Sequence, residues 1–387
     1  MKIAMIGHKR IPSREGGVEI VVEELAVRLA ARGHDVTVYN RGGGHVAGSQ
    51  YGAKSRSGEY KGVRIVAVPT PRNKSLNAMV YSLFATLRAV FAGYDVLHYH
   101  AEGPCAMLFI TALFGKKTVS TVHGLDWQRS KWGGFATKYL LFGEKMIAKY
   151  AGEVIVLSEN VRQYFKEGYG RETSFIPNAV AKPISRGPAI IRDKYGLEKD
   201  GYILFLARLV PEKGLHYLLE AFQAAETDKK LVVTGGTSHS DDYVREIAAM
   251  AAKDSRVIMT GFIQGEELDE LYANCFLYVL PSDVEGMPLT LLEAMSHGCR
   301  CLTSDIPENV SVTENYAHSF RKADISDLTS KLRDIIDGKV LFPTKAEIAA
   351  HITEKYNWED VVDKTLAVYQ RAMSRRRGAA PGGIEAK

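Results

Sequence analysis

Cysteine is scarce in this sequence of 387 residues, which contains four cysteines, none of them in a CxxC pair. Reduced core cysteines are therefore a better interpretation than a disulfide framework or a cysteine-ligated metal. Long apolar runs are also lacking, since the longest, 76–92, is interrupted by Asn77 and Arg88, and a membrane-spanning helix needs about 20 apolar residues. The start of the sequence, broken by Gly7, is not typical of a signal peptide.

Charge of one sign is only in slight excess, with a formal net charge of +5 and 25% charged residues. This balance suits an anionic substrate or an anionic membrane surface without choosing between them. Zinc-finger spacing, an RNA-binding signature and a basic helix are missing from the sequence, so nucleic acid is not expected as a partner. A length of 387 residues with 46% hydrophobic residues predicts two globular domains.

Short apolar strands alternate with helical segments in two successive series, which begin near Lys2 and Tyr202. The segment 103–114 is predicted to be one of these helices, and Ser158 is predicted to cap another. Such βα alternation predicts α/β domains with parallel sheets and right-handed crossovers. A connector with Pro and Gly separates the two series, so we expect an N-terminal domain over 1–180 and a second domain over 188–355. The basic and then Gly- and Pro-rich segment 375–387 is predicted to be a disordered tail.

The loop between the first strand and the first helix contains Gly16 and Gly17. Paired glycines allow a phosphate or a sugar to approach the backbone, with the helix amides behind it. The GxGxxG fingerprint of a dinucleotide-binding loop is absent, because Gly7 is followed by HKRI. A nicotinamide dehydrogenase is therefore a disfavoured alternative.

Two glutamates stand out in the segment FLYVLPSDVEGMPLTLLEAMSHG, 276–298, which predicts a strand, a loop and a helix that ends at Gly298. Glu285 lies in the loop at the carboxyl end of the strand, where ligands bind in open α/β sheets. Glu293 lies in a largely apolar helix, so its carboxylate needs a partner. Carboxylates for hydroxyls and helix amides for phosphates would suit one ligand that carries both. The alternative to a ligand site is that one of the two glutamates only stabilises the helix dipole and the other only forms a surface salt bridge.

Cationic and imidazole side chains follow other predicted strands. Arg208 and Lys213 flank a turn after the first strand of the second series, where two cations can neutralise a diphosphate, although such pairs are also common on surfaces. His123 follows a strand of the first series and is a candidate for the site, the alternative being a satisfied loop histidine. His98 and His100 alternate along another strand without a third ligand nearby, so no metal site is predicted.

The pattern PSxxEGxPxxxxE, which includes Glu285 and Glu293, resembles the signature of family 4 glycosyltransferases, retaining enzymes that use nucleotide sugars. This resemblance implies the GT-B fold, in which two Rossmann-like domains with parallel sheets face each other across a cleft. It also implies that a last helix, 358–374, packs back on the first domain. The run RIPSREGGVEIVVEEL is similar to a branch that includes rhamnosyltransferases of bacterial cell-surface polysaccharide synthesis, although that branch usually has Phe in place of Val18.

Roles for individual residues follow from the resemblance. Glu285 would contact hydroxyls of the donor sugar, and Glu293 would hold the ribose. Arg208 and Lys213 would clamp the diphosphate, and His123 would line the donor sugar near the reacting carbon. The other donor-binding candidates lie in loops and at helix starts: Gly16, Gly17, Gly235, Phe262, Ile263, Gly286, Met287, Pro288 and Leu289. The candidates for the acceptor side follow His123: Asp126, Trp127 and Arg129.

The resemblance implies transfer of a sugar, with retention, from a UDP-, dTDP- or GDP-sugar to a hydroxyl of a glycan or lipid-linked glycan. No metal and no cofactor beyond the nucleotide sugar are expected. A cytoplasmic protein is expected, and the helix 76–91 is either a core helix or a membrane-surface helix at the inner face of the cytoplasmic membrane. A sugar-nucleotide epimerase of the same fold and a non-catalytic glycan-binding protein are the alternatives.

Overall fold

The structure of the chain is a computed structural model that describes residues 1–43, 46, 57–128, 134–236 and 241–375. These residues form two compact units. The first contains the described residues as far as Asn178 together with those from Trp358 onward, and the second runs from Ala179 to Asn357. Apart from Arg375, the predicted tail lies outside the described residues.

The strands of the first unit form one sheet. Within the described residues their bounds are β1 Lys2–Ile6, β2 Asp35–Gly42, β3 Gly58–Tyr60, β4 Val63–Pro69, β5 Val96–His100, β6 Thr118–Val122, β7 Glu153–Val156 and β8 Ser174–Phe175. The order is β3-β4-β2-β1-β5-β6-β7-β8, and every pairing is parallel except that of β3 with β4. The central strands β5 and β6 are buried throughout, as expected where helices cover both faces of a sheet.

The helices of the first unit follow its strands in the chain. Their bounds are α1 Gly17–Ala31, α2 Lys74–Val90, α3 Glu102–Cys105, α4 Leu108–Leu113, α5 Gly134–Tyr150, α6 Glu159–Tyr169 and, at the end of the chain, α15 Trp358–Ser374. The predicted cap of α6 is confirmed, because Val161 N donates a hydrogen bond of 3.4 Å to Ser158 Oγ. Since α15 packs against α1, β5, β6 and β7, the last helix belongs to this unit.

The second unit has its own sheet, built from β9 Tyr202–Leu206, β10 Lys230–Thr234, β11 Val257–Gly261, β12 Leu277–Leu280, β13 Cys301–Ser304 and β14 His318–Phe320. All pairings in the order β11-β10-β9-β12-β13-β14 are parallel. The helices around it are α7 Ile190–Tyr195, α8 Leu215–Ala224, α9 Asp241–Ala251, α10 Glu266–Asn274, α11 Leu289–Ser296, α12 Pro307–Thr313, α13 Ile325–Ile336 and α14 Lys345–Lys355.

The predicted α/β class with parallel sheets is confirmed in both units. The single helix expected over 103–114 was wrong, because that segment forms α3 and α4. The N–H groups of Ala106 and Met107 bond three residues back, to Gly103 O and Pro104 O, and this tight turn ends α3. The short strands β3 and β14 were not predicted. No helix within the described ranges is long and apolar enough to cross a membrane.

A buried histidine joins the last helix to the first sheet. His98 on β5 bonds through Nδ1 to Tyr369 Oη of α15 and through Nε2 to Thr121 Oγ1 of β6, both at 2.7 Å. Burial lowers the pKa of His98 from 6.5 to about 3, because the charged imidazolium would lose its hydration. The neutral ring is therefore part of the fold at physiological pH.

We predict that His98→Gln weakens the pH dependence of stability. Below pH 6.5 the unfolded chain binds a proton at His98 that the folded chain does not bind until about pH 3. The contribution of His98 to the free energy of unfolding is thus complete above the pKa of the unfolded chain. As pH falls below that value, this contribution is lost by up to about 1.4 kcal/mol per pH unit. The thermal midpoint of His98→Gln, measured from pH 7.5 to pH 5, should start lower than that of wild type and fall less.

The control is Tyr369→Phe, which removes the hydroxyl bonded to His98 but keeps the titrating imidazole. This variant should be less stable at every pH and keep the wild-type slope. If the thermal midpoint of His98→Gln fell with pH as steeply as that of wild type, His98 would not be the source of this pH dependence.

Candidate active site

The order of strands in the second sheet reverses between β9 and β12. From β9 the chain moves outward to β10 and β11, and from β12 it moves the other way to β13 and β14. In open α/β sheets, the carboxyl ends of the strands at such a switch point are the usual ligand site. The loops 207–214 and 281–288 leave the sheet at this point, and they carry Arg208, Lys213 and Glu285.

Glycines allow these loops to pack backbone against backbone. A Cβ on Gly214, which has a φ of +67°, would lie 2.0 Å from Pro281 O, so only glycine fits there. A Cβ on Gly235 would lie 1.8 Å from Ala207 O, and Gly235 N donates a hydrogen bond of 2.9 Å to Gly261 O. Gly235 therefore holds the loops after β9, β10 and β11 together.

Lys213 and Glu285 form an ion pair, with 2.5 Å between Lys213 Nζ and Glu285 Oε1. Their side chains are 15% and 7% exposed, so the pair is largely withdrawn from water. Ser282 Oγ donates a second hydrogen bond of 2.8 Å to Glu285 Oε1. The hydroxyl of Ser304 in turn bonds Ser282 O, and Asn309 Nδ2 bonds Ser304 Oγ. A chain of buried polar groups thus fixes the carboxylate that the sequence singled out.

Glu293 lies on α11, the helix that follows the Glu285 loop. Its Oε2 accepts a hydrogen bond of 3.1 Å from Tyr272 Oη of α10. Among the residues that the structure describes, no side chain caps the amino end of α11, and Pro288 occupies the N-cap position. The helix start therefore offers backbone donors and a positive dipole end beside Gly286 and Met287.

The remaining predicted residues of this unit lie on the neighbouring strand ends. Arg208 is half-buried in the loop after β9, and Phe262 and Ile263 follow β11. The Phe262 ring lies beside Gly236, since its Cδ2 would be 3.7 Å from a Cβ there. The second unit thus brings together at one sheet edge two cationic side chains, two carboxylates and a loop with an aromatic side chain.

The glycine loop of the first unit carries an acid that the sequence did not single out. Glu19 is buried behind Gly16 and Gly17, and its Oε1 accepts a hydrogen bond of 2.9 Å from Lys9 N. Burial alone would raise the pKa of Glu19, but the charge and the N–H of Lys9 lower it overall. Since a carboxylate already lies at the start of α1, this loop suits sugar hydroxyls better than a phosphate.

Histidines line the carboxyl ends of β5 and β6. His123 is half-buried, and its Nε2 lies 3.1 Å from Nδ1 of the fully buried His100. Burial holds the pKa of His100 well below its usual value, so this neighbour is neutral at pH 7 and its hydrogen bond orients the ring of His123. No group of three His, Cys, Asp or Glu that could hold a metal ion occurs in the part of the chain that the structure describes.

Two buried glutamates hold the predicted acceptor-side turn, a 3₁₀ turn over Asp126–Gln128. Glu102 Oε2 accepts a bond of 3.1 Å from Asp126 N, and Glu144 Oε2 accepts one of 3.1 Å from Trp127 Nε1. Glu144 also accepts bonds from the hydroxyls of two tyrosines, Tyr164 and Tyr169. Arg129, the third predicted residue, lies outside the described residues.

Sequence reasoning missed Glu102, Glu144 and Tyr272. The available signal was the same in each case, a polar group on a helix with apolar neighbours, which must find a buried partner. The identity of the partner could not be inferred, because it lies on another element.

Two family models match consecutive parts of the chain. A model described as Glycosyltransferase Family 4 matches residues 15–181, and one described as Glycosyl transferases group 1 matches residues 189–356. The uncharacterized glycosyltransferase YqgM of Bacillus subtilis is 28% identical over 218 residues, which are 54% of this chain and 58% of that protein. The chain therefore spans little more than half the length of this relative.

Two further proteins match over more of the chain. The UDP-Gal:alpha-D-GlcNAc-diphosphoundecaprenol alpha-1,3-galactosyltransferase of Escherichia coli is 28% identical over 79% of this chain and 84% of its own length. The structure of sucrose-phosphate synthase from Thermosynechococcus elongatus superposes with a TM-score of 0.78 at 20% identity, covering 95% of this chain and 98% of that one. The chain belongs to glycosyltransferase family 4 and has the GT-B fold.

Proposed function

We propose that this chain is a retaining glycosyltransferase that moves a sugar from a nucleoside-diphosphate sugar to an acceptor hydroxyl. The observation that carries the proposal is the set of charged side chains at the switch point of the second sheet. Arg208 and Lys213 supply positive charge there, and Glu285 with Glu293 supplies carboxylates within the same loops and helix. This combination fits a ligand with a diphosphate between two polyhydroxylated rings.

In the proposed reaction, the bond between the anomeric carbon and the diphosphate oxygen breaks, and the electron pair leaves with the diphosphate. The acceptor oxygen bonds to the same face of the sugar, and its proton passes to the leaving phosphate oxygen. Arg208, Lys213 and the start of α11 would stabilise the charge that develops on the diphosphate. The proposal assigns this neutralisation to side chains and helix amides, without a metal ion.

The donor site of the proposal follows the loops of the second unit. Glu285 would accept hydrogen bonds from the sugar hydroxyls, and the ion pair with Lys213 holds its carboxylate in place. A diphosphate would share Lys213 with Glu285. The backbone of Gly286–Leu289 would face the sugar and phosphates, while Gly235, Phe262 and Ile263 would lie against the nucleotide.

The residues of the first unit are assigned roles in the same proposed reaction. Gly16 and Gly17 would approach sugar hydroxyls, and His123 would line the donor sugar near the reacting carbon. Asp126 and Trp127 would face the acceptor. Their backbone and indole N–H groups are held by Glu102 and Glu144, which fixes the turn that would meet the acceptor.

A lipid-linked glycan of bacterial surface polysaccharide synthesis is the proposed acceptor class. The E. coli relative acts, by its name, on a sugar carried by diphosphoundecaprenol. The resemblance of RIPSREGGVEIVVEEL to a rhamnosyltransferase branch adds deoxyhexoses to the candidate donors, so dTDP-sugars stand beside UDP- and GDP-sugars. The alternative, a sugar-nucleotide epimerase, would interconvert free sugar nucleotides without any acceptor.

We expect Arg208→Ala and Glu285→Gln each to lower transfer by at least about 100-fold, because each removes a charge needed at the reacting centre. Transfer is measured as nucleoside diphosphate released from UDP-glucose, UDP-galactose, dTDP-rhamnose or GDP-mannose in the presence of lipid-linked acceptors. The same samples are analysed for epimerised donor, whose formation would support the alternative function as a sugar-nucleotide epimerase.

The matched controls are Arg192→Ala and Glu198→Gln, which break an exposed ion pair near α7 in the same unit. Both should keep wild-type transfer, and circular dichroism should show all four variants folded. Near-wild-type turnover in Arg208→Ala or Glu285→Gln would contradict the assigned site.

A location at the cytoplasmic face of a membrane fits a lipid-linked acceptor. The helix α2 buries Tyr81, Ala85 and Ala89 in the hydrophobic core, so this face of α2 is that of a core helix. Its other side leaves Phe84 and Arg88 exposed. The interpretation as a surface helix therefore concerns the exposed side only.

Next to α2, further apolar groups extend this surface. Phe91 is 73% exposed and its ring contacts that of Phe114 at 5.2 Å between centroids. Leu113 is also exposed at the end of α4, close in sequence to Lys116. Exposed aromatic and aliphatic groups flanked by cations are suited to the interface of an anionic bilayer.

We predict that a variant with Phe84→Ser, Phe91→Ser and Leu113→Ser binds vesicles of phosphatidylglycerol and phosphatidylethanolamine at least about tenfold more weakly than wild type. All three side chains are exposed, so the fold should tolerate the changes. Binding is measured by vesicle flotation. The control is Leu341→Ser, which removes a leucine that is 89% exposed in the second unit and should leave flotation unchanged. Equal flotation of wild type and triple variant would contradict the membrane proposal.

A further inference from the structure

Tyr272 lies beneath the helix that carries Glu293. It projects from α10, is 2% exposed, and donates from Oη to Glu293 Oε2 at 3.1 Å. The same hydroxyl lies 3.3 Å from Thr290 O, one turn earlier on α11. A buried tyrosine hydroxyl needs a partner, and here the partner is a carboxylate that the proposed function assigns to the ribose.

The surroundings keep the Tyr272 hydroxyl protonated and therefore a donor. Burial and the nearby charge of Glu293 raise the pKa of Tyr272 well above its usual value. The ring stacks on His297, with 5.3 Å between centroids and 23° between planes. Burial lowers the pKa of His297 to about 4, so no imidazolium competes for Glu293 at pH 7. Asp269 Oδ1 lies 3.9 Å from Nε2 of His297.

A glutamate on a helix can adopt several rotamers, and each places its carboxylate differently. A hydrogen bond from a rigid, buried ring selects one of them. The carboxylate is then set before any nucleotide arrives, so less side-chain entropy is lost on binding. The two oxygens of a carboxylate offer about four acceptor positions. The bond from Tyr272 takes one of these positions on Oε2 and fixes the direction of the carboxylate, so that other positions can accept hydrogen bonds from a diol.

We propose that Tyr272 is a positioning residue for nucleotide recognition, which sets the carboxylate of Glu293 to accept hydrogen bonds from the ribose hydroxyls. The inference rests on the proposed function, since it assumes that Glu293 holds the ribose. It adds that selectivity for a hydroxylated ribose depends on a residue that lies below α11 and does not touch the nucleotide.

The chain offers a matched control in Tyr278 of β12. This residue is also fully buried, and its ring centroid lies 6.2 Å from that of Tyr272. Its hydroxyl bonds Thr290 Oγ1 at 2.9 Å and Leu206 O at 3.2 Å. Either Tyr272→Phe or Tyr278→Phe removes one buried hydroxyl below the same helix, but the hydroxyl of Tyr272 bonds the Glu293 carboxylate and that of Tyr278 bonds Thr290 and Leu206.

The test compares the affinity of the full chain for a nucleoside diphosphate and for its counterpart without ribose hydroxyls. Titration calorimetry is run with UDP, GDP and dTDP and with 2′,3′-dideoxy-UDP, 2′,3′-dideoxy-GDP and 3′-deoxy-dTDP. Wild type should prefer the hydroxylated nucleotide. In Tyr272→Phe this preference should fall by about tenfold, roughly one hydrogen bond to a charged group, with the affinity for the deoxygenated nucleotide unchanged.

Tyr278→Phe should keep the wild-type preference, which separates positioning from a general effect on α11. Adding Tyr272→Phe to Glu293→Gln should not lower the preference further, because the group it positions is gone. An unchanged preference in Tyr272→Phe would overturn the inference while leaving the proposed function standing. A wild type that binds both nucleotides equally, or binds neither, would contradict the donor site itself and the inference with it.

Discussion

The ion pair between Lys213 and Glu285 is the interaction on which the second unit's site depends. Withdrawing two charges from water costs free energy that only good mutual geometry and further hydrogen bonds can offset. Both conditions are met, because Gly214 lets the two loops touch at Pro281 O and Ser282 adds a second bond to the carboxylate. The charged groups are therefore arranged before a ligand arrives, which is the condition for electrostatic stabilisation of a leaving diphosphate.

The first unit follows the same physical rule with different groups. Its functional candidates also follow parallel strands, and buried polar side chains hold them: His100 holds His123, and Glu144 holds Trp127. These supporting groups would be costly to bury without their partners. In both units the sheet brings distant residues to one edge, and a layer of buried hydrogen bonds then fixes their orientation.

Much of the fold could be predicted from the sequence, because its strands and helices are strongly periodic and each signal is local. The positions of most strands and helices along the chain, the cap at Ser158 and the stop at Gly298 depend on neighbouring residues only. The short β3 and β14 carry too few apolar positions to give a period, and the turn after α3 depends on carbonyls within that helix. Glu285 and Glu293 were recognisable through a motif. Tyr272 and Glu144 were not, because their meaning lies in partners on other elements, 21 residues away for Glu293 and 17 for Trp127.

Binding of a nucleoside diphosphate through Arg208 is the function proposed for the second unit. Thermal unfolding of wild type and Arg208→Ala in the presence of UDP, GDP, dTDP, ADP and NAD tests it most directly. We expect one nucleoside diphosphate, at about 100 times its Kd, to raise the wild-type midpoint by about 2–4 °C, with little effect on Arg208→Ala. The stabilising nucleotide would also identify the base of the donor. Stabilisation by NAD alone, or an equal shift in both proteins, would contradict the account.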